Sequence, residues 1–286
     1  MIPAAFDYRA AATLDEAVQI LTEHGDDAKI LAGGHSLLPL MRLRLAAPAL
    51  IVDVGPVPNL AYIRDEQDHV AIGALTTHYQ MQSNSLLQQR VPLLAQSAGL
   101  VGDMQVRNRG TIGGSLAHAD PASDLPAVVV ALHAEIVAVG PSGTRIISAD
   151  DFFQDIWTSA LEPVEVVTEV RIPIGNVARG QWYEKFRQRA ADWAIVGVAV
   201  SITQEHDIVG EASIVLTNVG TIPHRAGDVE AALVGSPISL DVVKSAAARA
   251  ADGIHPSPEL KASPEYKQHL ARVLTERALL RALALQ

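Results

Sequence analysis

Two glycine pairs, far apart in the chain, are its groups best suited to hold an anion. The first stands in Lys29-Ile30-Leu31-Ala32-Gly33-Gly34-His35-Ser36, the second in Arg109-Gly110-Thr111-Ile112-Gly113-Gly114-Ser115. Glycine has no Cβ, so its backbone N–H can approach an anion closely and positive φ costs little. A run of such N–H groups makes a concave phosphate site. Each pair is expected to follow a strand, and each precedes a serine, Ser36 or Ser115, whose hydroxyl can donate. One such loop suits a mononucleotide or a plain turn. Two suit both sides of a pyrophosphate, and so a dinucleotide. Neither loop has the three-glycine Rossmann spacing or the Walker lysine.

The elements that must position these loops are readable in outline. Thr13 and Glu16 have the spacing of a capping box, and Leu14, Ala17, Val18 and Leu21 then share one helical face. Gly25 ends that helix, and a strand over 29–32 leads into the first glycine pair. A second strand covers 49–54. Asp53 within it reads either as a cofactor ligand or as a solvated acid. The runs 62–64 and 70–73 predict a hairpin. Residues 77–101 read as mainly helical with a break near Pro92. A helix is expected over 124–133 with Pro126 in its first turn, then strands at 135–139 and 144–147. From Glu169 the pattern changes to strand-like runs at 170–172, 182–187, 195–202 and 212–218, followed by helices at 226–234, 240–251 and 265–285. These runs read as a third, sheet-and-helix region, its boundary in the loop Pro173-Ile174-Gly175-Asn176. The expected division is 1–55, 56–176 and 177–286.

The chain of 286 residues is 49% hydrophobic and only 4% aromatic, so its core is built from Ala, Val, Leu and Ile. A formal net charge of −10 argues against a nucleic-acid partner, which needs a basic face. With no cysteine, thiolate zinc sites and iron–sulfur clusters cannot be ligated by this chain. The opening Met1-Ile2-Pro3 lacks the pattern of a signal peptide, and no run is apolar enough to predict a membrane span. His118 and Asp120 are close in sequence, but two ligands do not make a metal site. Arg107 and Arg109, flanking the second loop, suit cofactor phosphates, a partner subunit or a surface ion pair. No Gly-x-Ser-x-Gly elbow is present, so the expected chemistry belongs to a bound cofactor.

Further segments complete a resemblance. Phe6-Asp7-Tyr8, Ala32 through Pro39, Ile72-Gly73-Ala74, Arg107 through Pro126, Tyr183-Glu184-Lys185 and Asp192-Trp193-Ala194 together resemble the FAD-binding medium subunits of molybdenum hydroxylases over essentially the whole chain. The resemblance implies an α+β, vanillyl-alcohol-oxidase-like fold of two α/β FAD-binding subdomains and a C-terminal sheet-and-helix domain. It implies noncovalent FAD with backbone N–H groups of both loops around the pyrophosphate. The implied cofactor residues are Lys29, Ala32, Gly33, Gly34, His35, Ser36, Leu37, Thr111, Ile112, Gly113, Gly114, Ser115, Ser123, Asp124, Leu161, Lys185 and Trp193. Many members carry Asn where this chain has Ser115, which keeps a donor but shortens its reach. Asp124 would lie near the ribityl chain or ribose, or serve as a helix N-cap. Lys185 would sit near the polar edge of the flavin, or on the surface. Trp193 would stack on the ring, or fill a core. His35 would pack or hydrogen-bond. In other flavoproteins of this fold a loop histidine instead carries the flavin covalently.

The same resemblance supplies partners: a large molybdopterin subunit and a small subunit with two [2Fe–2S] clusters, assembled as a dimer of heterotrimers. Electrons would pass from the clusters to FAD and on to an external acceptor such as a quinone. The complex would be cytoplasmic, at the inner face of the membrane. Met1-Ile2-Pro3, the His in Ala32 through Ser36, and Leu216-Thr217-Asn218-Val219 most resemble the carbon monoxide dehydrogenase branch. The segment 107–120 also resembles hydroxylases of aromatic N-heterocycles. Two other classes stand beside these readings: a self-contained FAD oxidase and a non-catalytic nucleotide-binding protein.

Overall fold

Thr13 starts the first helix, its side chain accepting from the Glu16 N–H, while Glu16 reaches back to the Ala12 N–H. In the computed structural model, which describes residues 2–175 and 179–285, α1 runs Leu14–His24 and Gly25 ends it at φ +54°. Its buried face, Ala17, Val18, Ile20 and Leu21, packs on a parallel sheet of β1 (Asp7–Ala10), β2 (Ala28–Leu31) and β3 (Leu50–Asp53), in the order β1-β3-β2. The first glycine pair follows β2 directly and leads into α2 (Leu37–Arg42). Asp53 is occupied structurally: it accepts from the Tyr8 hydroxyl at 2.6 Å and from the Gly55 N–H.

The second sheet contains β4 (Ile63–Asp65), β5 (His69–Gly73), β6 (Glu135–Gly140) and β7 (Gly143–Ser148). After the small hairpin of β8 (Phe153–Asp155) and β9 (Thr158–Ser159), β10 (Val166–Pro173) joins it. The order is β4-β5-β10-β6-β7, with every neighbour antiparallel. The change of pattern at Glu169 therefore does not open a new sheet, because β10 lies between β5 and β6. The loop expected at 173–176 runs out of the described residues at Asn176.

Between β5 and β6 the chain forms α3 (His78–Ser83), α4 (Ser85–Arg90), α5 (Pro92–Leu100), α6 (Met104–Arg107), α7 (Ile112–His118) and α8 (Asp124–Ala131); α9 (Ala149–Phe152) follows β7. The helical stretch 77–101 is thus three helices, broken at Asn84 and again before Pro92. All eight residues of α8 are buried, so it is a core helix rather than an amphipathic surface one.

The last sheet is an antiparallel run of β11 (Arg179–Phe186), β12 (Val196–Glu205), β13 (Ile208–Thr217) and β14 (His224–Arg225). It is covered by α10 (Gly227–Leu233), α11 (Leu240–Ala247) and α12 (Pro264–Ala282). Its alternation sends Tyr183 and Lys185 to one face, toward α8, and Trp182 and Glu184 to the other. Among the described residues no helix is long and apolar enough to cross a membrane, and no group of three or more His, Asp or Glu side chains could hold a metal.

Candidate cofactor-binding site

A cleft of about 650 Å³ opens between the first and second sheets, with Trp193 reaching it from the third. Its size is that of a small-molecule site. The first glycine loop makes one wall: Lys29, Ala32, Gly33, Gly34, His35, Ser36 and Leu37 all line it. Gly34 has φ +77°, a conformation that glycine adopts without strain. Gly33 approaches the other loop so closely that a Cβ there would fall 2.1 Å from the Arg109 carbonyl oxygen. The N–H groups of Gly33, Gly34, His35 and Ser36 make no hydrogen bond to any described residue. Four consecutive open donors beside a cleft are an anion cradle.

The second wall is built differently. The second glycine pair does not follow a strand; it follows α6 and lies inside α7, whose N-cap Thr111 accepts from the Gly114 N–H. The Ile112 N–H donates to Thr76 O, the Gly113 N–H to Ala74 O and the Ser115 N–H to Thr111 O. Four of the expected pyrophosphate donors of this loop, the N–H groups of Ile112 through Ser115, are therefore already engaged. What Gly113 supplies is closeness: a Cβ would sit 2.6 Å from that of Ala74. Thr111, Gly113, Gly114 and Ser115 line the cleft, but Ile112 is fully buried in the core behind it. Ser115 Oγ pairs with Ser123 Oγ at 3.0 Å, so its hydroxyl is tied to the loop beside it.

Ser123 lines the cleft; Asp124 does not. The N-cap position of α8 belongs to Ser123, and Asp124 is the first helical residue. Its carboxylate is buried, accepting from Lys185 Nζ at 2.7 Å and from the Tyr183 hydroxyl at 2.6 Å. Burial pushes the Asp124 carboxyl up, opposed by the Lys185 ammonium. Burial and the neighbouring carboxylate push the Tyr183 phenol far up. Lys185 also donates to Leu100 O, and its side chain is only 2% exposed. It is neither a surface lysine nor a cleft residue, because a buried ammonium needs its charge and protons satisfied where it lies.

Leu161 and Trp193 line the cleft, and Trp193 is 72% exposed, which excludes the core reading for it. His35 is also exposed at the rim. Arg107 does not line the cleft and donates to Val101 O and Gly102 O. His118 and Asp120 line the cleft 3.9 Å apart, and burial lowers the His118 pKa.

Two of the lining residues that the motifs do not single out, Trp157 and His78, bring an aromatic face and a titratable ring to the cleft. Trp157 is a second exposed aromatic, held at φ +52° in the β8–β9 turn; its one signal is an aromatic in a polar turn. His78 follows Thr77, whose capping box with Gln80 is legible as Thr-x-x-Gln. Its ring is buried, Nδ1 has no partner among the described residues, and its pKa falls to about 4, chiefly by burial and then by the charges of His35 and Arg107. It is a neutral imidazole at the floor of the cleft.

Residues 4–175 match the family model of the FAD-binding domain in molybdopterin dehydrogenase, and residues 181–282 that of the carbon monoxide dehydrogenase flavoprotein C-terminal domain. The chain belongs to the FAD-binding flavoprotein family of the molybdopterin dehydrogenases. The flavoprotein is 41% identical over 279 residues to the carbon monoxide dehydrogenase medium chain of Hydrogenophaga pseudoflava, covering 98% of this chain and 97% of that one. It is 38% identical over 284 residues to the alpha subunit of the 6-hydroxypseudooxynicotine dehydrogenase complex of Paenarthrobacter nicotinovorans, covering 99% and 96%. A solved chain of carbon monoxide dehydrogenase from Hydrogenophaga pseudoflava superposes with TM-score 0.97 at 43% identity, covering 99% of each chain. The α+β, vanillyl-alcohol-oxidase-like architecture expected from the motifs is the one the flavoprotein has, and its cofactor is FAD. The cradle of open N–H groups and the flat aromatic faces at the rim fit that group.

Proposed function

We propose that this chain is the medium subunit of a carbon monoxide dehydrogenase, receiving electrons from the [2Fe–2S] clusters of a small partner subunit and passing them to an external acceptor. The observation that carries the cofactor's placement is the run of four open N–H groups from Gly33 to Ser36. These donors hold the FAD pyrophosphate, and the second loop, with the N–H groups of Ile112 through Ser115 engaged, presents the Thr111 hydroxyl and the narrow surface of Gly113 and Gly114. Trp193 and Trp157 offer apolar faces to a flat ring. Lys29, Ala32, His35, Leu37, Ser115, Ser123 and Leu161 complete the lining, while Ile112, Asp124 and Lys185 support it from behind. Bound FAD supplies electron transfer that no side chain here can perform.

The full assembly is a dimer of heterotrimers with a large molybdopterin subunit, cytoplasmic and held at the inner face of the membrane by its other parts, with a quinone as acceptor. A second reading, the flavin subunit of an aromatic N-heterocycle hydroxylase, draws on the near-equal identity to the 6-hydroxypseudooxynicotine dehydrogenase alpha subunit.

The test is the visible spectrum of the purified chain, followed by acid precipitation and chromatography of the supernatant. A flavin spectrum with FAD released to the supernatant is expected. Colour retained in the pellet would point to attachment at His35 and to a self-contained oxidase. A folded chain that binds no added FAD would overturn the proposal.

A further inference from the structure

Trp193 projects into the cleft from an irregular segment, 187–195, between β11 and β12. With 72% of its surface exposed, its own ring packing cannot fix it. Something must hold the segment that carries it.

The holding contacts converge on Asn218. It is buried at the end of β13 with φ +62°, a left-handed conformation that Asn tolerates better than most residues. Its Nδ2 donates to Ala194 O at 2.8 Å and to Ile195 O at 3.3 Å, the residues directly after Trp193. Its backbone N–H donates to Pro121 O at 2.8 Å. The neighbouring Thr217 hydroxyl lies 2.6 Å from Ser123 O and 2.9 Å from Pro121 O. One left-handed residue and its neighbour thus tie together the Trp193 segment and the 121–123 loop, which supplies Ser123 to the cleft.

The hub is itself anchored. The carbonyl oxygen of Asn218 accepts from Lys267 Nζ at 3.0 Å. Lys267 is 1% exposed on α12, and Glu259 pairs with its ammonium. A buried lysine is retained only where its charge and protons are satisfied. Two residues after Glu259, Lys261 pairs with Asp192 at 2.7 Å, on the other side of Trp193. The 259–261 turn therefore holds the Trp193 segment at one end directly and at the other through Lys267 and Asn218.

We infer that Asn218 and Lys267 are positioning residues for the cofactor cleft, fixing Trp193 and Ser123 against each other from the C-terminal domain. Neither touches the cleft. The geometric part stands on this structure alone; the effect on FAD rests on the cofactor placement proposed above.

The experiment uses the full chain carrying Trp157→Phe and Trp182→Phe, which leaves Trp193 as the sole tryptophan of three. Its fluorescence anisotropy is measured without FAD, and FAD is then titrated. Asn218→Gly keeps the left-handed backbone accessible and removes only the amide. It is expected to retain the far-ultraviolet dichroism of the parent, to lower the anisotropy of Trp193, and to weaken FAD binding about tenfold, the scale of one or two lost buried hydrogen bonds. Lys267→Met is expected to act in the same direction, and it replaces Asn218→Gly as the deciding variant if the latter does not fold. Unchanged Trp193 anisotropy in a folded variant would overturn the inference. Lowered anisotropy in the variant, together with failure of the unsubstituted chain to bind FAD, would support the positioning role and overturn the cofactor placement instead.

Discussion

The two glycine loops that face each other across the cleft look alike in sequence and are opposite in use. The first leaves the N–H groups of Gly33 through Ser36 open. The second engages those of Ile112, Gly113, Gly114 and Ser115 with Thr76, Ala74 and Thr111. The open wall has donors to offer a ligand; the engaged wall spends its donors on packing. The asymmetry extends outward: behind the engaged wall lies the saturated group of Asp124, Lys185 and Tyr183. Gly-Gly alone does not declare a phosphate loop; the fate of the N–H groups does.

If the engaged wall is a structural unit, damage to it must appear first as lost stability. Lys185→Met leaves Asp124 as an uncompensated buried carboxylate, and the expected loss is about 3–5 kcal/mol, measured by urea unfolding of the FAD-free chain. Adding Asp124→Asn should recover part of that loss. A Lys185→Met chain as stable as the parent would erase the contrast between the walls.

His78 lies beside the second loop, its backbone N–H donating to Gly110 O. Its pKa, lowered to about 4 from 6.5 in the fold, means that the unfolded chain binds the extra proton first. Its contribution is intact above about pH 6.5 and is lost as pH falls toward 4, by about 3 kcal/mol in all. Unfolding free energy measured at steps between pH 7 and 4 should show this slope, and His78→Phe should flatten it.

A paired glycine comparison gives smaller effects but separates the walls most cleanly. Gly113→Ala overpacks Ala74 and should cost about 1–3 kcal/mol of stability. Gly34→Ala meets the flexible side chains of Leu38 and Leu31, the former at 2.9 Å, and costs about 1–2 kcal/mol of backbone strain, yet it distorts the open donors. Relative to its stability loss, Gly34→Ala should weaken FAD binding more, by about tenfold, in parallel thermal-melt and FAD-titration measurements.

What the sequence disclosed and what it hid divide along locality. The Thr13 N-cap, Gly25 at the helix end, and β2 running into Gly33 are short-range signals, and the structure has each of them; the reciprocal half of the expected capping box differs, because Glu16 accepts from the Ala12 N–H rather than from that of Thr13. The start of α7 was hidden because two glycines are poor helix formers; it is stabilised by Thr111 and by contacts to Ala74 and Thr76. β10 looked like the opening of a new region because its partners, β5 and β6, are set by long-range pairing. Asp124 and Lys185 were singled out separately, but their union across 61 positions is a product of the fold. Trp157 carried almost no signal, since exposure of an aromatic in a turn is visible only in three dimensions.

The most direct measurement is amide hydrogen exchange of the chain with and without FAD, read at residues 33–36 and 112–115. Gly33, Gly34, His35 and Ser36 are expected to exchange fast in the free chain and to become protected by FAD. Residues 112–115 should be protected in both states. Protection appearing only at 112–115, or FAD bound with 33–36 still exchanging fast, would contradict the proposed cofactor placement.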